Sequence, residues 1–410
     1  MKQLWVDVAI VGGGPAGIAA ALELRRRGVA RVVLLDREET IGGIPRHCGH
    51  PSFGLFEFGR LLRGPAYARK LADAAFAAGV EIRTRHTVVA PREEGHLEVA
   101  TPEGILAIHA ARTIIATGAR ETPLAARLIS GDRLIGCLTT GSLQAFLYLH
   151  NLIPFRRPVI LGTEIVSLSA VLTCRFAGLQ PAAVIESDPW PTVQRPWDFL
   201  PRMLGIPMYF GAEITDIRGN GRVQSVRVEL ADGGVREIAC DGVLCTGRFV
   251  PEIGLLTNSH LTVDEGSGGP SIDQFGRCSD PQYFAAGNVL RPVETAGWSY
   301  REGRRIGGFV ADDLSQGLPN YVRSVQIVRR PHVKLVVPQR VAMPLSSEGL
   351  GQLQLRFDSV ATGDLTVEAD GQCLWRRRIK ARPERRFLVS LTNLDGASGA
   401  DVITIGIREN

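Results

Sequence analysis

Four residues with reactive side chains lie close together near position 50 of the sequence. They are Arg46, His47, Cys48 and His50. A cysteine flanked by cationic groups could form a thiolate with a lowered pKa and act singly in redox or covalent chemistry. His47 or His50 could transfer a proton. Two alternatives stay open: a buried cysteine with a structural role only, and histidines that hydrogen-bond a cofactor or the backbone. No further ligand cluster accompanies the two histidines, so no metal site is predicted.

A glycine-rich stretch near the N-terminus has the pattern of a phosphate site. Gly12, Gly14 and Gly17 form G-x-G-x-x-G between a predicted strand over 8–11 and a predicted helix over 18–27. Gly12 permits a tight turn, Gly14 lets the backbone approach a pyrophosphate, and Gly17 allows close helix–strand packing. The free N–H groups at the start of the helix favour an anion there. The alternative is a glycine-rich turn without a ligand.

An acidic residue completes the dinucleotide pattern. Asp36 ends a second predicted strand, over 31–35, and lies about twenty residues after the glycines. Its carboxylate can accept hydrogen bonds from the hydroxyls of an adenosine ribose. Gly42 and Gly43 follow, and a second glycine pair would let the backbone approach the same ligand again. The sequence therefore predicts a dinucleotide site in its first forty residues.

The strand–helix–strand unit recurs about 150 residues later with a degraded fingerprint. A predicted strand over 158–161 leads to Gly162, but Glu164 holds the second glycine position and Ser167 the third. A carboxylate at Glu164 would repel a pyrophosphate, and it is bulkier than the glycine needed for close approach. This domain is expected to be a retained scaffold with little or no nicotinamide-dinucleotide binding. NAD(P) binding there is the alternative.

These repeats predict an α/β fold with a Rossmann-like domain and an inserted second Rossmann-like domain. The predicted bounds are 1–122 and 241–321 for the first domain and 123–240 for the second. Short predicted strands separated by turns follow, so residues 322–410 are expected to form a C-terminal all-β, sandwich-like module. A basic run over 375–386 is a solvated face, a docking site for an acidic partner protein, or a contact for phosphate or anionic lipid.

Composition excludes several classes of function. The 410 residues are 45% hydrophobic and 22% charged, with a net charge of +5, so bulk nucleic-acid binding is not indicated. No apolar run is long enough to span a membrane, and the predicted first strand begins too early for a signal peptide. The seven cysteines show no C-x-x-C pair. A cytoplasmic location and the absence of an iron–sulfur cluster in this chain are therefore expected.

Over residues 4 to about 317, the chain resembles flavoproteins with two dinucleotide domains, related to pyridine nucleotide-disulfide oxidoreductases. The marks of this resemblance are the stretch 12–17, Asp36, the pair 42–43, and the segments 116–118 and 286–288. The segments 42–55, 64–68 and 284–290 are similar to a narrower branch, the flavoprotein subunits linked to glycerol-3-phosphate, opine and hydroxyproline dehydrogenase complexes. Disulfide reductases carry a cysteine pair near the flavin, whereas only Cys48 follows Gly43 here, so a dithiol relay is not expected.

The resemblance implies FAD as the cofactor of the first domain. Many members have Gly-Asp where this chain has Gly287-Asn288, and Asn288 can still hydrogen-bond a ribityl hydroxyl or a phosphate. A helix beginning at Thr295 would direct its N-terminus at the flavin. The implied cofactor-binding residues are Gly12, Gly14, Pro15, Ala16, Gly17, Asp36, Arg37, Gly42, Gly43, Arg46, His47, Ala116, Thr117, Gly118, Gly287, Asn288, Ala296 and Gly297.

The expected function is that of a FAD-dependent oxidoreductase, as the electron-transferring flavoprotein subunit of a dehydrogenase complex. Its small-molecule substrate would be an amine, an amino acid or a hydroxy-phosphate. The resemblance implies an oligomer or hetero-complex with two partners, a second flavoprotein and a small iron–sulfur protein. One alternative is an NAD(P)H-dependent FAD reductase that uses Cys48. The other is a non-catalytic FAD-binding scaffold.

Overall fold

The computed structural model describes residues 2–193, 195–292, 294–319, 323–346, 349–383 and 385–409. Glu384 of the basic run and the predicted boundary at 321–322 lie outside these ranges. The helices are α1 (Pro15–Arg26), α2 (Leu55–Phe58), α3 (Gly64–Ala77), α4 (Thr140–Tyr148), α5 (Ile165–Phe176), α6 (Leu200–Met203) and α7 (Ala296–Ser315). No helix in the described ranges is long and apolar enough to cross a membrane.

The strands fall into three groups along the chain. The first group is β1 (Lys2–Val11), β2 (Val32–Leu35), β3 (Pro51–Phe53), β4 (Leu62–Arg63), β5 (Glu81–Arg83), β6 (Thr87–Pro91), β7 (His96–Thr101), β8 (Gly104–Ile115) and β9 (Ala119–Glu121). The second is β10 (Cys137–Thr139), β11 (Pro158–Leu161), β12 (Ala183–Glu186), β13 (Met208–Phe210), β14 (Glu213–Asn220), β15 (Arg222–Glu229), β16 (Val235–Ala239), β17 (Gly242–Cys245) and β18 (Phe249–Pro251). The third is β19 (Tyr283–Ala285), β20 (Arg323–Arg329), β21 (Val333–Val337), β22 (Arg340–Met343), β23 (Gln352–Phe357), β24 (Ala361–Ala369), β25 (Gln372–Ala381), β26 (Phe387–Ser390) and β27 (Val402–Glu409).

The chain divides into two compact units. The first contains Met1–Gly43, Ala68–Ala119 and Pro251–Asn410, and the second contains Ile44–Tyr67 and Arg120–Val250.

The main sheet of the first unit brings the predicted ligand-binding segments to one edge. Strands β5, β2, β1, β8 and β19 run parallel in that order, and β7 and β6 extend the sheet antiparallel. Both faces of β1 and β2 are covered, because residues 8–11 and 32–35 are all buried. Gly12, Asp36, Ala116 and Ala286 directly follow β1, β2, β8 and β19. These residues therefore lie at the carboxyl edge, where ligands bind in open parallel sheets.

The second unit has its own parallel sheet, in the order β10-β17-β11-β12-β13, and an antiparallel sheet β14-β15-β16. The predicted bounds placed residues 241–250 in the first domain. This is wrong for β17, which pairs with β11 in the second sheet. A strand that ends in a glycine turn occurs in both sheets, so the local pattern does not say to which one it belongs. The other predicted bounds stay a prediction.

The C-terminal residues of the first unit form the expected β module. One sheet has the order β22-β20-β27-β24-β25 and the other β21-β23-β26. The side chains between them form one apolar core that includes Leu353, Leu365 and Ile405, all fully buried. Asp370 and Gly371 turn the chain between β24 and β25 with φ angles of 47° and 87°. The predicted class, two Rossmann-like sheets plus a C-terminal β module, is confirmed.

Candidate functional site

The glycine-rich turn joins β1 to α1 in the first unit. Gly12 has a φ of 112°, and a Cβ at this residue would lie 2.4 Å from the carbonyl oxygen of Ala116. A Cβ at Gly17 would lie 2.0 Å from the carbonyl oxygen of Gly12. Real Cβ atoms do not approach so closely, so the packing of the protein itself requires these two glycines.

Gly14 is different, because its surroundings leave room for a side chain. It is the N-cap of α1, with a φ of −80° that any residue can adopt. A Cβ at Gly14 would be 4.0 Å from the nearest described atom, the Cα of Gly43. Among the described residues, no side chain caps α1 and no acidic residue lies in its first turn. The open backbone and the uncapped N–H groups fit a pyrophosphate.

Asp36 and the second glycine pair both contact this turn. One carboxylate oxygen of Asp36 accepts a hydrogen bond from the N–H of Gly13 at 2.8 Å, and the other accepts from the N–H of Glu38 at 2.9 Å. The N–H of Gly42 donates to the carbonyl oxygen of Gly13 at 2.6 Å. The structure thus brings together three predicted segments, and the carboxylate lies where it could also accept ribose hydroxyls.

The segments after β8 and β19 are held by the protein's own hydrogen bonds. The hydroxyl of Thr117 donates to the carbonyl oxygen of Glu252 at 2.7 Å. The amide of Asn288 donates to the carbonyl oxygen of Glu294 at 3.2 Å, and its oxygen accepts from the N–H of Glu294 at 2.8 Å. Both polar atoms of Asn288 therefore have partners within the protein. The predicted contacts of Thr117 and Asn288 with a cofactor stay predictions.

Helix α7 begins where the sequence predicts and packs directly on α1. Its N-cap is Thr295, whose hydroxyl accepts from the N–H of Trp298 at 3.3 Å, so Ala296 and Gly297 lie in its first turn. A Cβ at Gly303 would lie 2.0 Å from the carbonyl oxygen of Ala16. The two helix N-termini therefore belong to one tightly packed pair.

A buried carboxylate supports the turn at Gly287, and the sequence reasoning missed it. Glu302 on α7 is only 5% exposed and accepts a hydrogen bond from the N–H of Gly287 at 2.8 Å. Glu302 shares a helix face with Ile306 and Val310, which are fully buried. That periodicity could have revealed that the carboxylate faces the interior.

Comparison with known proteins identifies the family. A family model described as pyridine nucleotide-disulphide oxidoreductase matches residues 6–303, more than half of the chain. The chain belongs to this family. Members and structural neighbours are FAD-dependent oxidoreductases, and so is this chain. FAD supplies the redox chemistry when it is bound. The turn at Gly12–Gly17, Asp36 and Gly42-Gly43 would hold its dinucleotide portion.

Two curated relatives match the chain over only part of their own length. The chain is 26% identical over 309 residues to the alpha subunit of sarcosine oxidase from Rhizobium meliloti (strain 1021), covering 71% of this chain but 28% of the relative. It is 25% identical over 314 residues to one subunit of opine oxidase from Agrobacterium tumefaciens (strain Ach5), covering 69% and 61%. The chain thus spans less than two thirds of each. The fold is similar to T. acidophilum thioredoxin reductase, with a TM-score of 0.63 and 24% identity, over 75% of this chain and 98% of that chain.

In the second unit, the carboxyl group of Glu164 lies at the degraded fingerprint, against the end of β17. The carboxyl group of Glu164 accepts from the hydroxyl of Thr246 at 2.8 Å. A Cβ at Gly247 would lie only 2.2 Å from the other oxygen of Glu164, so the carboxyl group fills the space beside the end of β17. Burial is the main reason that the pKa of Glu164 rises to about 7, and the nearby charge of Glu186 raises it further.

The acidic residue that ends β12 is also hydrogen-bonded within the protein. Glu186 corresponds to Asp36 of the first unit, and its carboxylate accepts a hydrogen bond from the hydroxyl of Thr163. The N–H groups of Thr192 and Val193 donate to the hydroxyl and the carbonyl oxygen of Thr163 at 3.0 and 3.1 Å. These bonds fix a loop across the degraded fingerprint.

The raised pKa of Glu164 predicts a characteristic pH dependence of stability. The unfolded chain releases this proton near pH 4.5, whereas the folded chain keeps it until about pH 7. The free energy of unfolding should therefore fall as pH rises through this window, by on the order of 3 kcal/mol. Glu164→Gln cannot ionise and should be more stable than the parent at pH 8 but not at pH 4. Urea denaturation at both pH values measures this difference. Glu229→Gln, at an exposed site, is the control, and an equal pH response of both variants would contradict the assignment.

The thiol of Cys48 lies in the second unit and is 7% exposed. Its sulfur donates to the side-chain oxygen of Gln144 at 3.3 Å. Burial, and secondarily the negative charge of Glu121, raises the pKa of Cys48 to about 12. Glu121 itself accepts from the N–H of Gly141 at 2.7 Å, and burial raises its pKa as well.

The predicted lowering of the Cys48 pKa by Arg46, His47 and His50 is therefore wrong. Desolvation of the thiolate and the negative charge of Glu121 both act to raise this pKa. These four residues lie in the second unit, so the predicted contacts of Arg46 and His47 with the cofactor stay predictions.

His50 ends a chain of hydrogen bonds that starts at Cys48. The amide of Gln144 donates to the hydroxyl of Ser169 at 2.8 Å, and that hydroxyl lies 2.7 Å from Nε2 of His50. Because Ser169 already accepts from Gln144, it can donate to His50, whose Nδ1 then faces Ser52 at 3.2 Å. This order of donors fits a neutral imidazole, and burial lowers the pKa of His50. A role of His50 in proton transfer stays a prediction.

The environment of Cys48 predicts that it resists alkylation. With iodoacetamide at pH 8, the exposed Cys373 should react at least about 100-fold faster than Cys48, because only the thiolate reacts. Mass spectrometry of the labelled peptides gives both rates, and labelling in urea should make them similar. Modification of Cys48 as fast as Cys373 in the folded protein would show that the thiol is accessible and ionised.

Proposed function

We propose that this chain is the electron-transferring flavoprotein subunit of a dehydrogenase complex, in which FAD receives its electrons from a small substrate and not from NAD(P)H. The observation that carries this proposal is the placement of the Glu164 side chain at the degraded fingerprint of the second unit. The carboxyl group of Glu164 fills the space beside Gly247, and Glu164 replaces the glycine that would let the backbone approach a pyrophosphate. The second Rossmann-like sheet then serves as a scaffold.

The relatives support a substrate class and a hetero-complex. Two of them are named as subunits of sarcosine oxidase and opine oxidase. Sarcosine and opines are secondary amines, so we infer a small amine or amino acid as the substrate and keep a hydroxy-phosphate as the alternative. From the resemblance of segments 42–55, 64–68 and 284–290 to flavoprotein subunits of dehydrogenase complexes, we further propose a second flavoprotein and a small iron–sulfur protein in the cytoplasm as partners. The basic strand β25 lies at the edge of its sheet and is one candidate for the docking of an acidic partner.

Two other functions remain to be separated from this one. Two observations disfavour an NAD(P)H-dependent reductase that uses Cys48. The pKa of that thiol is raised, and the carboxyl group of Glu164 lies at the degraded fingerprint. A non-catalytic FAD-binding scaffold would bind the cofactor in the same way but would never be reduced.

Purification with native partners tests the proposal. The tagged chain is isolated from its own host, and sarcosine, proline, hydroxyproline, opines and glycerol 3-phosphate are added anaerobically. One substrate should bleach the flavin absorbance at about 450 nm. Flavin that stays oxidised with every substrate, although the partners are bound, would favour the scaffold function. A complex without FAD would contradict the proposal.

A further inference from the structure

The turn at Gly287 is fixed in place from both sides. Gly287 has a φ of 82°, and a Cβ at this residue would lie 2.7 Å from the Cβ of Ala16 in the first turn of α1. Its N–H donates to the carboxylate of Glu302 on α7. Any displacement of Glu302 would therefore move the Gly287 turn against the helix N-terminus that fits the pyrophosphate.

Glu302 is in turn held by an arginine that reaches the β module. Arg291 is 1% exposed, and its guanidinium donates to the two carboxylate oxygens of Glu302 at 2.6 and 3.2 Å. Its Nε donates to the side-chain oxygen of Gln354 on β23 at 2.7 Å. A buried charge pair is stable only when the remaining donors are also satisfied, and Gln354 supplies the acceptor for Nε.

A second connection runs from Asn288 to the same module. Asn288 holds the main chain of Glu294, and the Glu294 carboxylate accepts from Arg356 at 2.8 Å and from Arg386 at 2.5 Å. The guanidinium of Arg386 also lies 3.8 Å from the centre of the Trp298 ring in the first turn of α7. Gly287 and Asn288 are thus tied to three side chains of the β module.

We propose that the C-terminal β module positions residues of the flavin site. Gln354 acts through Arg291 and Glu302 on Gly287, and Arg356 and Arg386 act through Glu294 on Asn288. None of the three module residues is a catalytic residue. They are positioning residues that fix the Gly287–Asn288 turn and the start of α7 against α1. The module therefore controls how tightly and in what orientation FAD is held, a role separate from any docking of partner proteins.

The test uses the purified holoprotein and needs no substrate, so its result is independent of the proposed dehydrogenase activity. Gln354→Leu removes the acceptor for Arg291 and should raise the dissociation rate of FAD about tenfold, with a changed visible circular dichroism of the flavin. Gln354→Glu keeps an acceptor oxygen and should stay within about twofold of the parent. Release is followed by the recovery of flavin fluorescence.

Gln352→Leu is the matched control, because Gln352 lies two residues earlier on β23 and is exposed. A Gln354→Leu variant that keeps the parent's FAD release and flavin spectrum, while only its melting temperature falls, would reduce the module to a structural appendage. Arg386→Gln is a second variant, chosen because this side chain is one-third exposed and its replacement should leave the chain folded. It should release FAD about threefold faster, and an unchanged rate would overturn the proposal.

Discussion

Replacing Gly14 with glutamate is expected to abolish FAD binding and leave the chain folded. The carboxylate would lie at the N-terminus of α1, where the pyrophosphate is predicted to bind, and would repel it at close range. The affinity for FAD should fall by about 1000-fold or more, so the variant should purify colourless. The protein itself should tolerate the change, because the nearest described atom to a Cβ at Gly14 is 4.0 Å away. A negative charge at a helix N-terminus is also stabilising. The variant reproduces in the first fingerprint what Glu164 does in the second.

Two further variants separate ligand repulsion from damage to the fold. Gly14→Ala adds only a methyl group and should weaken FAD by about 10-fold to 100-fold, with an unchanged melting temperature of the apoprotein. Gly399→Glu makes the same charge change at an exposed residue, where a Cβ would meet no described atom within 4 Å. It should bind FAD as the parent does. Fluorescence titration of apoprotein with FAD gives the affinities, and a yellow Gly14→Glu holoprotein would show that the pyrophosphate lies elsewhere.

Replacing Glu302 with leucine should lower the free energy of unfolding by about 3–5 kcal/mol, because it leaves the buried guanidinium of Arg291 without its counter-charge. It also removes the acceptor for the N–H of Gly287. The double variant Arg291→Met/Glu302→Leu removes both charges and should recover part of the loss. Urea denaturation of the apoproteins measures these differences.

The control for this prediction lies on the same helix. Asp312 pairs with Arg27 at 2.5 Å, but both side chains are about one-third exposed. Asp312→Asn should therefore cost less than about 1 kcal/mol. A Glu302→Leu variant as stable as Asp312→Asn, or a double variant less stable than the sum of its single changes, would contradict the account of a buried and mutually dependent pair.

The residues of the glycine-rich turn could be predicted because their constraint is local. Gly17 packs on the carbonyl oxygen of Gly12, and Asp36 accepts a hydrogen bond from the N–H of Gly13. These contacts lie within a single strand–helix–strand unit, so about 25 residues of sequence contain the spacing that produces them. The uncapped start of α1 and the second glycine pair follow from the same unit. The degraded fingerprint at Glu164 was readable for the same reason.

The remaining features depend on partners far apart in the chain. Cys48 meets Gln144 across 96 residues, and Arg291 meets Gln354 across 63. A local sequence pattern does not reveal such long-range pairs. For this reason the cationic neighbours of Cys48 suggested a lowered pKa, whereas its burial in the folded chain raises the pKa. Strand β17 was misassigned for a related reason, since both sheets contain a strand that ends in a glycine turn. Burial of Glu302 was the exception, because helical periodicity could have shown it.

The source of the electrons is the central claim, and anaerobic mixing with nicotinamide nucleotides tests it most directly. The FAD-loaded chain is mixed with excess NADH or NADPH in a stopped-flow instrument, and the flavin absorbance at about 450 nm is followed. The carboxyl group of Glu164 at the degraded fingerprint predicts that the band stays intact over minutes, although dithionite should bleach it fully. Rapid bleaching by either nucleotide would contradict this account and make the chain a nicotinamide-dependent reductase.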